Sequence, residues 1–140
     1  MIHTMPFLLF DGDCAEAMEF YKSCLGGGEL TITKAADTPM RAQLPPEKHQ
    51  RVVNAHLKHS AVELTASDWL HPIRTPKQGN MVCIYITAGS YEELRPIFDG
   101  LAAGADPALL DDLREMPFGT YGHLADKYGV HWFFRGEKKP

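Results

Sequence analysis

The sequence predicts an α+β fold of two tandem βαβββ modules that form a cup-shaped mixed sheet with the helices on its outer face. Three observations carry this prediction. A strand, a turn and a helix recur in the same order, with the helix-start residues Asp13 and Ser90 lying 77 residues apart. Both helices carry the same cap pattern and the same apolar stripe. Strand-like segments ending in a hairpin follow each helix. Helices confined to one face leave the other face of each sheet free to curl around a ligand. The alternative, a ferredoxin-like α+β domain with both helices covering one sheet, is disfavoured by the shared offset.

The elements follow in chain order. Residues 5–10 (MPFLLF) form an apolar strand that stops at Asp11-Gly12-Asp13. Asp13 is the expected N-cap, with Glu16 three residues later as in a capping box. Ala17, Phe20, Tyr21 and Cys24 fall on one helical stripe. Gly26-Gly27-Gly28 end the helix, since glycine takes the left-handed C-cap conformation without steric cost. A short strand at 29–33, a Pro-rich polar loop at 35–50, and a hairpin of 51–58 with 61–67 around His59-Ser60 complete module one. The linker at 68–80 has two prolines and a glycine.

In module two, residues 81–86 (MVCIYI) are the opening strand and Gly89-Ser90 the turn. Ser90 and Glu93 match Asp13 and Glu16. Leu94, Ile97, Phe98 and Leu101 match the first stripe, and Gly104 follows the helix. Pro96 lacks a backbone donor and is expected to bend or delay this helix. Residues 109–116 are ambiguous, and 119–125 with 130–135 form a second hairpin around 126–129. The chain is thus expected to be a single domain, 1–140, with module one at 1–67, the linker at 68–80 and module two at 81–136. Halves of this size bury too little surface alone, so they are expected to share a sheet or exchange across a dimer.

Composition excludes several function classes. The net charge is −4 and the pI about 5.9, so no nucleic-acid partner is expected. The one basic cluster, Arg135 to Lys139, reads as a solvated terminus. The longest apolar runs have six residues, whereas a bilayer span needs about 20. Neither a membrane span nor a signal peptide is expected. Cys14, Cys24 and Cys83 lack metal-cluster spacing, and reduced thiols in a cytoplasmic protein are the simplest reading.

Strand alternation predicts the lining of the cup. Val62, Leu64 and Ala66 should face the first helix, leaving Ala61, Glu63, Thr65 and Ser67 on the open side. Val82, Ile84 and Ile86 should face the second, leaving Met81, Cys83 and Tyr85. Val130, Trp132 and Phe134 take the helix side, leaving His131, Phe133 and Arg135. The expected ligand pocket is Phe10, Asn54, His56, Glu63, Cys83, Tyr85, Tyr121, His123, His131 and Phe133.

Several of these stretches are recognisable. Pro6-Phe7-Leu8-Leu9-Phe10-Asp11-Gly12, then Cys14 and Ala17-Met18-Glu19-Phe20-Tyr21, then Leu25-Gly26-Gly27, form one. Ala66-Ser67-Asp68 is a second. Tyr121-Gly122-His123-Leu124 with Asp126-Lys127-Tyr128-Gly129-Val130-His131-Trp132 is the third and most specific. Together the chain resembles the PhnB-like branch of the glyoxalase/bleomycin-resistance/dioxygenase (vicinal oxygen chelate) superfamily. The resemblance implies paired modules, a cup-shaped sheet and a homodimer. It also brings labels of demethylubiquinone methyl transfer and phosphonate metabolism. A doubly wound methyltransferase needs a Gly-rich turn between a strand and a helix, and the glycines at 26–28 follow a helix instead.

The resemblance further implies metal ligands on the first and last strands of each module, commonly His and Glu. These positions fall on Pro6, Glu63, Cys83 and Phe133. Proline and phenylalanine offer no donor atom, which leaves Glu63 and Cys83. His56, His59, His123 and His131 are the imidazoles available to complete a site, although a hairpin bend points His56 and His59 apart. Asn54 stands where the family often has His. No cofactor is expected, with a divalent metal at Glu63 and Cys83 as the alternative. Glu63 is the candidate catalytic residue, either ion-paired or a proton-transfer base. The expected function is metal-free binding of a small organic molecule in the cup. The alternatives are a metal-dependent lyase, isomerase or dioxygenase, and a ligand-free dimeric interaction protein.

Overall fold

Each βαβββ run folds onto itself in the computed structural model, which describes residues 1–138. Lys139, part of the expected basic tail, lies outside the described residues. The first compact unit is Met1–Lys77 and the second begins at Gln78. In the first, β1 (Phe7–Phe10), α1 (Cys14–Cys24), β2 (Glu29–Lys34), β3 (Val52–His59) and β4 (Val62–Asp68) follow in order. In the second come β5 (Ile84–Ala88), α2 (Tyr91–Ala102), β6 (Leu110–Met116), β7 (Gly119–Ala125) and β8 (His131–Gly136). The sheet orders are β1-β4-β3-β2 and β5-β8-β7-β6. In each sheet the opening strand runs parallel to the closing strand, and the other pairs are antiparallel. The predicted tandem order is therefore the observed one. The polar loop after β2 carries three 3-10 turns, Ala35–Asp37, Pro39–Gln43 and Pro46–Lys48.

Each helix covers one face of its own sheet. Cys14, Ala17, Met18 and Tyr21 of α1 are fully buried, as are Ala55, Leu57 and Ala66 on the strands beneath. In the second unit Leu94, Phe98 and Leu101 of α2 lie over Leu124, Trp132 and Phe134. Phe98 meets Phe134 edge-on with ring centroids 5.0 Å apart. Each buried leucine, methionine or phenylalanine among these stabilises the fold by about 1.5–3 kcal/mol.

The two helix starts are held differently. Ser90 caps α2 as predicted: its Oγ accepts from the Glu93 amide at 3.2 Å, and Glu93 Oε2 accepts from the Gly89 amide at 3.3 Å. Asp13 makes no side-chain cap at α1. Asp68 does that work from β4. Its Oδ1 accepts from the Gly12 and Cys14 amides at 2.9 and 3.0 Å, and its Oδ2 accepts from the Val52 amide at 2.8 Å. Asp68 is thus a buried strand residue and not the start of a linker. At the other end of α1 the Gly27 amide donates to the Lys22 carbonyl, with Gly26 and Gly27 at positive φ, the expected C-cap. Pro96 sits inside α2, which continues through it to Ala102.

The second opening strand starts at Ile84, later than the apolar run suggested. Met81 and Val82 precede it and are exposed, because no strand pairs there to bury them. Ser67 is buried, its Oγ donating to the Val52 carbonyl. In the second hairpin, Asp126 accepts from the amides of Tyr128 and Val130 and from the Trp132 indole.

Candidate functional site

The face of each sheet turned away from its helix carries the titratable side chains, so each unit presents its own cluster. Register relates the two. Phe10 pairs with Asp68 at the end of β1, and Ala88 pairs with Gly136 at the end of β5. Counting back, Phe7–Thr65–His56 in the first sheet corresponds to Tyr85–Phe133–His123 in the second. Glu63 therefore corresponds to His131. Phe133, the position expected on the closing strand, lies two residues beyond His131, and the 77-residue offset of the helix caps runs one short of the strand register, which matches Phe10 to Ala88.

In the first unit Glu63 is enclosed by imidazoles. Nε2 of His56, on the neighbouring strand β3, lies 2.7 Å from Oε2. Nε2 of His3, from the segment before β1, lies 3.1 Å from Oε1. The His56 hydrogen bond, together with the charges of Lys58, His3 and His56, outweighs desolvation and holds the Glu63 carboxyl below the usual carboxylate range. A proton-abstracting base needs the opposite shift. His3 did not stand out in the sequence, since it lies outside any strand. Asn54 is exposed on the same face, and Phe10 is not part of it: Phe10 is 5% exposed, on the helix side near Tyr21.

The second unit carries an aromatic and imidazole face. Tyr121 meets Phe133 edge-on at 5.1 Å, and Phe133 meets Tyr85 edge-on at 5.6 Å. Tyr85 is 57% exposed. Arg135, two residues beyond Phe133 on β8, stacks its guanidinium 4.3 Å from the Phe118 ring centroid. Tyr85, Thr87, Phe118 and Arg135 line an open groove of about 600 Å³. At the opposite end of β8, His123 Nε2 lies 3.4 Å from His131 Nδ1 and 3.8 Å from Cys83 Sγ. Burial and the neighbouring His131 push the His123 imidazole below the usual histidine range, partly opposed by Asp111.

These placements decide which residues fit a metal. Both Glu63 oxygens face imidazoles of the first unit, and Cys83 belongs to the second. Cys83, His123 and His131 instead bring one sulfur and two nitrogens within 4.8 Å of one another. Among the described residues all three cysteines are free thiols, and no helix is long and apolar enough to cross a membrane.

Comparison with known proteins accords with this architecture. A family model described as 3-demethylubiquinone-9 3-methyltransferase matches residues 3–134. The chain is similar to a solved protein of Pseudomonas aeruginosa, PA1353, at 26% identity and a TM-score of 0.84, covering 99% of this chain and 100% of that one. It is similar to a Bacillus cereus PhnB protein, described as a putative 3-demethylubiquinone-9 3-methyltransferase, at 26% identity and a TM-score of 0.74, covering 96% and 98%. A glyoxylase/bleomycin resistance protein/dioxygenase domain from Frankia shares the fold, at 16% identity and a TM-score of 0.64, covering 99% of each chain.

Proposed function

The chain belongs to the PhnB-like 3-demethylubiquinone-9 3-methyltransferase family, within the glyoxalase/bleomycin-resistance/dioxygenase superfamily, and from that premise we propose that it binds a small organic molecule on the open face of its second sheet. The observation that carries this reading is the edge-stacked row Tyr121–Phe133–Tyr85, whose exposed end, Tyr85, lines a groove of about 600 Å³ together with Arg135. Ligand sites combine apolar and aromatic walls with a few placed polar groups, and this face has both. Exposed ring edges suit a planar apolar body, and a guanidinium suits a carboxylate or phosphate on its rim. The matched ligand is a planar aromatic anion.

Thermal-shift titration with aromatic carboxylates and aryl phosphates tests this reading. Stabilisation that disappears in Phe133→Ala and weakens in Arg135→Gln is expected. Ligands that stabilise both variants as well as the parent protein would overturn it. The resemblance also supports a homodimer, which sedimentation velocity checks, and three free thiols suit a cytoplasmic setting. Methyl transfer draws no support from this face. Its sheets are mixed and four-stranded, and the glycines at 26–28 close a helix instead of opening one.

A further inference from the structure

We infer, on the basis of the aromatic face proposed above, that Arg114 is a second anion-recognising residue of the second sheet, and that with Arg135 it selects an aromatic ligand carrying two negative charges. Arg114 extends that face by one strand, to β6.

A bulge puts Arg114 there. Asp111 of β6 pairs with His123, and Arg114 pairs with Tyr121, so three steps along β6 match two along β7. In an unbroken ladder Leu113 would pair with Tyr121, and Arg114 would lie opposite Thr120, which is fully buried. The extra residue changes this. Leu113 is buried, Asp112 pairs with Arg95 of α2, and Arg114 is exposed opposite Tyr121. Bulges on edge strands re-aim side chains in this way, and β6 is an edge strand. One row on the open face then runs Thr87, Arg135, Tyr121 and Arg114. Directly paired residues share a face. The two arginines thus flank Tyr121, with backbones two strand spacings apart, about 10 Å.

Charge makes the pair a ligand-binding set. Among the described residues neither arginine has a carboxylate partner. Arg51 and Arg95, by contrast, are paired with Asp11 and with Asp99 and Asp112. The acids on this face, Asp111 and Glu137, bond neither Arg114 nor Arg135. Phe118 covers the planar face of Arg135 and itself meets Tyr121 edge-on at 6.4 Å. Stacking leaves the N–H edge of a guanidinium for an anion. The matching positions of the first sheet, Leu9 with Ser67 and Asn54 with Thr33, carry no charge. A monoanion is satisfied by Arg135 alone. Two guanidiniums on either side of one tyrosine match a dianion, either an aromatic dicarboxylate or an aryl phosphate.

Calorimetric titration of the full-length protein with benzoate, isophthalate and phenyl phosphate tests this, at constant ionic strength and about pH 7.5, where the phosphate is doubly charged. At least one dianion should bind about tenfold more tightly than benzoate, the factor expected from one further charge-assisted hydrogen bond. Preference for isophthalate puts the two charges on separate groups, and preference for phenyl phosphate puts them on one. Arg114→Gln should collapse the ratio towards one, and Arg114→Lys should restore part of it. Arg41→Gln, at an exposed position of the first unit, should leave the ratio unchanged. Arg114 is exposed, so the thermal unfolding of its variants should match the parent and separate lost selectivity from lost fold. Equal affinity for benzoate and both dianions, or a ratio unchanged in Arg114→Gln, overturns the role of Arg114. If Phe133→Ala still removes binding in that case, the aromatic site itself stands. Absence of binding by all three probes overturns both.

Discussion

Across the first sheet one row of paired residues runs Phe7, Thr65, His56 and Thr31, and across the second the matching row runs Tyr85, Phe133, His123 and Asp111. Two residues before Thr65 and Phe133, on the same face, stand Glu63 and His131. One scaffold position thus carries a carboxylate in one unit and an imidazole in the other. The carboxylate faces two histidine nitrogens, at 2.7 and 3.1 Å, whereas the imidazole faces a second imidazole, that of His123, at 3.4 Å. A single difference on a repeated strand therefore decides whether the cluster sets an acceptor among imidazoles or sets two like rings together.

The contrast extends to the helices, and there the largest effect is expected. Asp68 accepts from three backbone donors, two of them buried, whereas Ser90 accepts from one. Asp68→Ala should destabilise the first unit by roughly 3 kcal/mol or more, because hydrogen bonds to a charged group contribute about 1.5–3 kcal/mol each and are not additive. Ser90→Ala should cost about 1 kcal/mol. Chemical denaturation with a probe in each unit distinguishes them, and equal losses would erase the distinction.

The smallest effect is on pH dependence. The folded-state Glu63 carboxyl is held below its ordinary value, chiefly by the His56 hydrogen bond. Such a group contributes stability that is fully present above the ordinary carboxylate range and lost as pH falls through the lowered value. Glu63→Gln should therefore be slightly less stable than the parent near neutrality, and the difference should vanish in acid. Urea midpoints from pH 7 to 3 check this. The groups facing Glu63 are His3, His56 and Lys58, and a difference that grows in acid would contradict the assignment.

The fold was legible because its signals are local. Ser90 with Glu93, the stripe Leu94, Phe98 and Leu101, and the glycines after α1 each state their role within a few residues. The cluster was less legible because it depends on pairing between strands. Cys83, His123 and His131 each read as cup-lining residues, yet which of them meet is fixed by register, and alternation alone does not separate His131 from Phe133, two residues on and on the same face. Asp68 was misplaced for a similar reason: its three partners lie 16 to 56 residues away in sequence, beyond any capping motif. Phe10 was assigned to the open face, but strand parity puts it under α1.

That distance sets an order of assembly. The second helix has its cap residue next to its first turn, and its start can form while the chain is still short. The first helix waits for Asp68, 54 residues beyond the Cys14 amide that it accepts. Closing so long a loop is entropically slow. During synthesis α1 emerges first but is completed only after β4 has emerged, so the N-terminal helix of this protein depends on sequence made well after it.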